Sequence, residues 1–160
     1  MKRKVYVETS VINYLTARPS KTIVGAAHQQ LTLAWWKRRS EYELLVSRAV
    51  WQECAAGDTE AAQKRLAALD GISVLAVSQE MIYLAQSLIK QGIIPAKAVE
   101  DAIHIAVSTL HGVDFLLTWN CRHIANQMIQ EKIAAHLEPQ GLFLPMICTP
   151  EELLGEDNDE

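Results

Sequence analysis

Short apolar runs alternate along the chain with longer stretches in which apolar residues return at helical spacing, and this alternation predicts the elements. Val5-Tyr6-Val7 is a β-branched and aromatic run that meets polar residues at Glu8-Thr9-Ser10, as a buried strand ending in a functional loop does. From about Lys21, the residues Ile23, Ala27, Leu31 and Ala34/Trp35 recur as a helix face, closed by Lys37-Arg38-Arg39, where cations suit the helix dipole. Residues 42–47 read as a second strand, and 48–56 as a short helix stopped by Gly57. Helices are expected at 59–69 and 78–91, with a third strand at 72–77 between them. Pro95 opens a helix over 96–110. A strand at 113–118 follows, then an exit loop at 119–123, a helix at about 124–135 and an edge strand at 141–144. The capping box Thr149-Pro150-Glu151-Glu152 starts a stub helix. Such alternation predicts an α/β fold of three layers, α/β/α, with a central, mostly parallel twisted sheet. Sites in such folds form where loops leave the carboxyl ends of strands.

Composition narrows the picture. At 160 residues with 49% apolar and 21% charged, the chain fits one domain, expected over 1–154, that buries roughly 70% of its unfolded surface. Residues 155–160 read as a disordered acidic tail. Cys54, Cys121 and Cys148 are odd in number and widely spaced, which suggests neither a disulfide framework nor a zinc cluster. No signal peptide or membrane-spanning run is evident, so a cytoplasmic protein with no membrane partner is expected. The net charge of −4 is unevenly spread: residues 1–40 carry +7 and the remainder −11. That asymmetry marks either a nucleic-acid or acidic-partner face, or simply solvated helix surfaces.

Several polar residues stand where chemistry is possible. Glu8 follows the first strand, where an unpaired carboxylate is costly and a loop acid is the plain alternative. Asp101 borders the small-residue stripe Ala98, Ala102, Ile105 and Ala106. His104, three residues on, reads as a packed, hydrogen-bonded core residue. Asn120 leaves a strand end, either as a weak oxygen ligand or as a turn residue.

Taken in order, Val5-Tyr6-Val7-Glu8-Thr9-Ser10-Val11-Ile12, then Val46-Ser47 leading to Glu53, then Glu100-Asp101-Ala102-Ile103-His104-Ile105-Ala106, then Leu116-Leu117-Thr118-Trp119-Asn120, the segments resemble the PIN-domain pattern over about residues 4–147. The chain looks like the VapC-type toxins of bacterial toxin–antitoxin pairs. That resemblance implies a ribonuclease whose acids Glu8, Glu53 and Asp101 bind Mg²⁺ or Mn²⁺, with Ser10 and Thr118 supporting and Asn120 at a fourth position that is commonly Asp. It further implies an RNA substrate, a cognate antitoxin protein and a homodimer. Lys4, Arg18 and Arg48 are the expected RNA contacts, while Tyr14 and Trp119 either stack a base or pack in the core. The family's usual first acid is Asp. Glu8 and Asn120 therefore keep open a second reading, a catalytically weak or inactive PIN-like module that binds RNA or protein. A small phosphatase-like or receiver-like α/β domain also places acids at strand ends, but would group several Asp residues after the first strand.

Overall fold

The strand β1 (Lys4–Val7) carries three successive apolar side chains, and successive side chains of a strand point to opposite faces. Both faces must then be covered, and Val5, Tyr6 and Val7 are indeed fully buried. The same holds for Leu116 and Leu117 of β4 (Phe115–Leu117) and Val46 of β2 (Glu43–Ser47). In the computed structural model, which describes residues 1–155, these strands join β3 (Ser73–Leu75) and β5 (Met146–Cys148) in one five-stranded sheet. The order is β3-β2-β1-β4-β5, and every pairing is parallel.

Helices α1 (Thr9–Thr16) and α2 (Ile23–Trp36) connect β1 to β2. Helices α3 (Arg48–Ala55) and α4 (Thr59–Ala68) connect β2 to β3. The chain then reverses direction across the sheet: α5 (Gln79–Lys90) and α6 (Val99–Leu110) lead to β4, α7 (Gln127–Leu137) leads to β5, and α8 (Pro150–Leu154) follows. Right-handed crossovers put α1–α4 on one face and α5–α7 on the other, giving the three layers. The reversal falls between β1 and β4, the switch point where parallel sheets open a crevice.

Four local readings are corrected. Glu8-Thr9-Ser10 is not a loop; Glu8 caps α1 by accepting from the Ser10 amide at 2.9 Å, and Val11 and Ile12 pack inward. The expected helix at 124–135 starts later, because Asn126 caps it through the amides of Met128 and Ile129. The edge strand lies at Met146–Cys148 rather than 141–144: Gly141, at φ +70°, ends the turn after α7, and Leu142 donates back to the Leu137 carbonyl. The helix expected at 96–110 opens with a 3₁₀ turn, Ala96–Ala98, before α6. Trp35 is a core residue, and Trp36 lies under the Arg39 guanidinium. All three cysteines are free; burial pushes the Cys54 thiol up to about 11 and Cys148 up to about 12. No described helix is long and apolar enough to cross a membrane. The expected tail falls, beyond Gly155, outside the described residues.

Candidate active site at the carboxyl ends of the strands

Strand β1 delivers Glu8 to the switch point, and the Glu8 amide continues the ladder by donating to the Leu117 carbonyl of β4 at 3.0 Å. Its side chain is only 5% exposed. A carboxylate that deep requires donors. It has three: the Ser10 amide at 2.9 Å, the Ser10 hydroxyl at 2.5 Å and the Thr118 hydroxyl at 2.5 Å. Ser10 and Thr118, the two supporting residues expected from sequence, thus both grip Glu8. Ser10 also accepts from the Trp119 amide at 2.9 Å, tying the exit of β4 to the first turn of α1.

Glu53 comes from α3, which Ser47 at the end of β2 caps. Its Oε1 accepts from His104 Nε2 at 2.6 Å and from the Thr9 hydroxyl at 3.1 Å. Behind it runs a buried chain: His104 Nδ1 lies 2.7 Å from the Tyr6 hydroxyl, which lies 2.7 Å from the Ser47 hydroxyl. Asp101 stands in the first turn of α6, half-buried, with Oδ2 3.0 Å from His123 Nδ1. Neither Thr9, Tyr6, Ser47 nor His123 was singled out from sequence. Each meets its partner only across elements far apart in the chain. The one available signal was the unbroken burial of the first strand, which obliges Tyr6 to find a partner for its hydroxyl.

Glu53 is bonded to His104, and the charges of Glu8 and Asp101 also act on that ring. Burial opposes its charged form, but the Glu53 hydrogen bond and the negative charges of Glu8, Glu53 and Asp101 outweigh that and raise its pKa. A folded-state pKa above the ~6.5 of a free imidazole means that the folded protein holds the proton more tightly than the unfolded chain. The resulting stabilisation is complete below about pH 6.5 and is lost as pH rises through the raised pKa. With divalent ions chelated, the melting temperature should therefore fall as pH rises from about 6.5, and less so in His104→Gln. Equal slopes for the two proteins would remove this role of His104.

A metal ion here is implied by the resemblance, and the donor chemistry suits a hard divalent cation, which prefers carboxylate oxygens. Glu53 Oε2 and Asp101 Oδ1 accept no hydrogen bond among the described residues. No three His, Cys, Asp or Glu among the described residues are grouped so as to hold an ion together.

Other expected residues are distributed differently. Asn120 uses Oδ1 to accept from the amides of Arg122 at 3.2 Å and His123 at 3.0 Å, the geometry of a turn residue. Trp119 is buried, stacked on His28 with centroids 4.0 Å apart, and bonded to the Thr32 hydroxyl, so its place is in the core rather than against a base. Tyr14 packs edge-on to both rings of that pair. Arg48 opens α3 at the same end as Glu8 and is exposed. Arg18 follows the far end of α1, about 12 Å of helix away. Lys4 opens β1, at the opposite end of the strand from Glu8, so it does not belong to this rim.

The all-parallel five-stranded sheet flanked by helices has a PIN-like α/β fold. Solved structures with this fold include VapC-type toxins. A toxin–antitoxin complex from Klebsiella pneumoniae matches with a TM-score of 0.54 at 18% identity, covering 76% of this chain and 91% of that one. VapC20 of Mycobacterium tuberculosis, described as a sarcin–ricin loop cleaving toxin, matches with a TM-score of 0.56 at 17% identity, covering 74% and 92%. VapBC2 of Rickettsia felis, solved bound to a DNA fragment from its promoter, matches with a TM-score of 0.53 at 13% identity, covering 91% and 98%. No protein-family model and no curated protein matches the sequence.

Proposed function

We propose that the protein is a metal-dependent endoribonuclease and the toxin of a toxin–antitoxin pair. The observation that carries this reading is that Glu8 at the end of β1, Glu53 on α3 and Asp101 in the first turn of α6, from three distant segments, all stand at the carboxyl ends of the strands. That solved structures of the same fold include a toxin–antitoxin complex and a sarcin–ricin loop cleaving toxin supports the biological setting.

Phosphodiester hydrolysis needs an attacking water placed in line and the charge growing on the phosphate oxygens offset. A bound Mg²⁺ or Mn²⁺ supplies both water activation and charge neutralisation. Glu8, Glu53 and Asp101 would hold it, and the surrounding donors fix how each acid points. Ser10 and Thr118 lock Glu8, Thr9 and His104 hold one oxygen of Glu53, and His123 holds one oxygen of Asp101. Glu53 and Asp101 are left with one unoccupied oxygen each. Exposed Arg48 provides positive charge for the approaching phosphates. Purified protein should cut RNA with Mg²⁺ or Mn²⁺ and stop on adding EDTA. Cleavage that persists in EDTA would falsify the metal dependence.

A second reading keeps the same fold as a non-catalytic RNA-binding or protein-interaction module. It draws on Asn120, whose oxygen already caps a turn, and on Glu8, both of whose oxygens already accept hydrogen bonds. RNA binding indifferent to EDTA, with no cleavage under either metal, would select it.

A further inference from the structure

Two short segments tie the three acids together. Thr9 and Ser10, adjacent in the first turn of α1, donate to Glu53 and Glu8. Residues 118–123, which leave β4, join Glu8 to Asp101. At one end the Thr118 hydroxyl donates to Glu8 Oε1 at 2.5 Å, and at the other His123 Nδ1 lies 3.0 Å from Asp101 Oδ2. The core holds this second segment on both sides, for Thr118 and Ile124 are fully buried and Trp119 nearly so. The Trp119 ring stacks on His28, and its amide donates to Ser10 Oγ.

Between those anchors the chain turns on one residue. Asn120 Oδ1 accepts from the Arg122 and His123 amides, and the Asn120 carbonyl accepts from the Ala125 amide at 2.7 Å. Its own amide donates at 2.9 Å to Thr118 Oγ1, the hydroxyl that binds Glu8. An asparagine that caps the amides following it fixes the path of those residues, here the backbone that carries the imidazole. An ionised carboxylate only accepts, so His123 donates to Asp101 through Nδ1. That bond selects the Nδ1–H tautomer and engages Asp101 Oδ2 while leaving Oδ1 without a hydrogen bond among the described residues.

We propose that Asn120 and His123 are a coupled pair of positioning residues: Asn120 builds the turn that places the imidazole, and His123 fixes the rotation of the Asp101 carboxylate. The inference rests on the metal-dependent reading above and gives Asn120 a role distinct from that of a fourth ligand. It acts on Asp101 at second hand, through His123. Partners that orient a ligating side chain contribute about 10–100-fold to metal affinity or activity. Because both residues work through one bond, removing the second after the first costs little more.

The test is a double-mutant cycle read in three ways. Asn120→Ala and His123→Ala should each lower Mn²⁺ affinity and kcat about 10–100-fold, with KM for RNA little changed. The double variant should be no worse than His123→Ala, whereas independent residues would multiply their losses to within about twofold. Asn120→Asp offers the same two amides an acceptor, and His123→Asn puts an amide nitrogen in the place of Nδ1; each should recover most of the loss. The third readout needs neither ion nor activity. In EDTA and alkaline buffer, the nitrogen NMR spectrum of the His123 ring should show the Nδ1–H tautomer in wild type and lose that preference in Asn120→Ala and Asp101→Asn. Losses that multiply in the double variant overturn the proposal, as does a wild type with no Nδ1–H preference. So does an Asn120→Ala variant that loses Mn²⁺ affinity with the tautomer unchanged, which makes Asn120 a ligand. A wild type that neither binds Mn²⁺ nor cuts RNA, yet holds the tautomer that Asn120→Ala releases, keeps the coupled pair and removes the nuclease reading.

Discussion

Asp101→Asn lowers RNA cleavage by at least about 10²–10³-fold, the range seen when one group that stabilises transition-state charge is removed. The change keeps the side chain's size and one oxygen, so α6 keeps its packing, but it removes the negative charge at the oxygen that has no hydrogen-bond partner. It also replaces the charged acceptor facing His123 with a neutral amide. Calorimetric titration with Mn²⁺ on the same samples separates two explanations. Binding and cleavage that disappear together assign Asp101 to ion binding; cleavage lost with Mn²⁺ affinity intact moves its role to the RNA. Undiminished cutting by the variant sinks the assignment altogether.

Tyr6→Phe costs about 1–3 kcal/mol of stability, although it deletes one oxygen and leaves the ring's volume in place. The hydroxyl sits in the sheet centre between Ser47 Oγ and His104 Nδ1, and burial keeps it protonated by raising its pKa. Without it both neighbours lose a buried partner, and each kcal/mol should appear as a fall of about 2–4 °C in melting temperature for a chain of this size. The loss also reaches the site, because His104 is what orients Glu53. Tyr6 is therefore a positioning residue: kcat should drop by about 10–100-fold, the usual cost of losing a group that orients a ligand, with KM little changed. A melting temperature and kcat both equal to wild type would show that the Ser47–Tyr6–His104–Glu53 chain carries no function.

Much of the fold was legible along the chain because it depends on patterns that are local. The buried β1 and β4 appear as short apolar runs, and the stub helix α8 lies where its capping box predicts. The errors are local too. The chain after α7 holds apolar residues at 142–144 that resemble a strand, yet Gly141 and the bond from Leu142 to Leu137 make it the exit of a helix. Glu8 at the end of β1 was visible as a candidate. That it caps α1, and so anchors a helix as well as a site, was not, since capping depends on the direction the chain takes next.

The sequence by itself determined the alternation of strands and helices, hence a parallel sheet, and it supplied the acids Glu8, Glu53 and Asp101. Their donors were decided only by the tertiary structure, because Thr118, His104 and His123 reach their partners across 110, 51 and 22 positions of chain. The direction of the charge asymmetry was likewise out of reach. Lys2, Arg3 and Lys4 lie within six residues of Glu8 in sequence, but an extended strand separates its two ends by its full length. Proximity along the chain suggested one charged rim; the straightness of β1 puts these cations and Glu8 at opposite ends of the sheet.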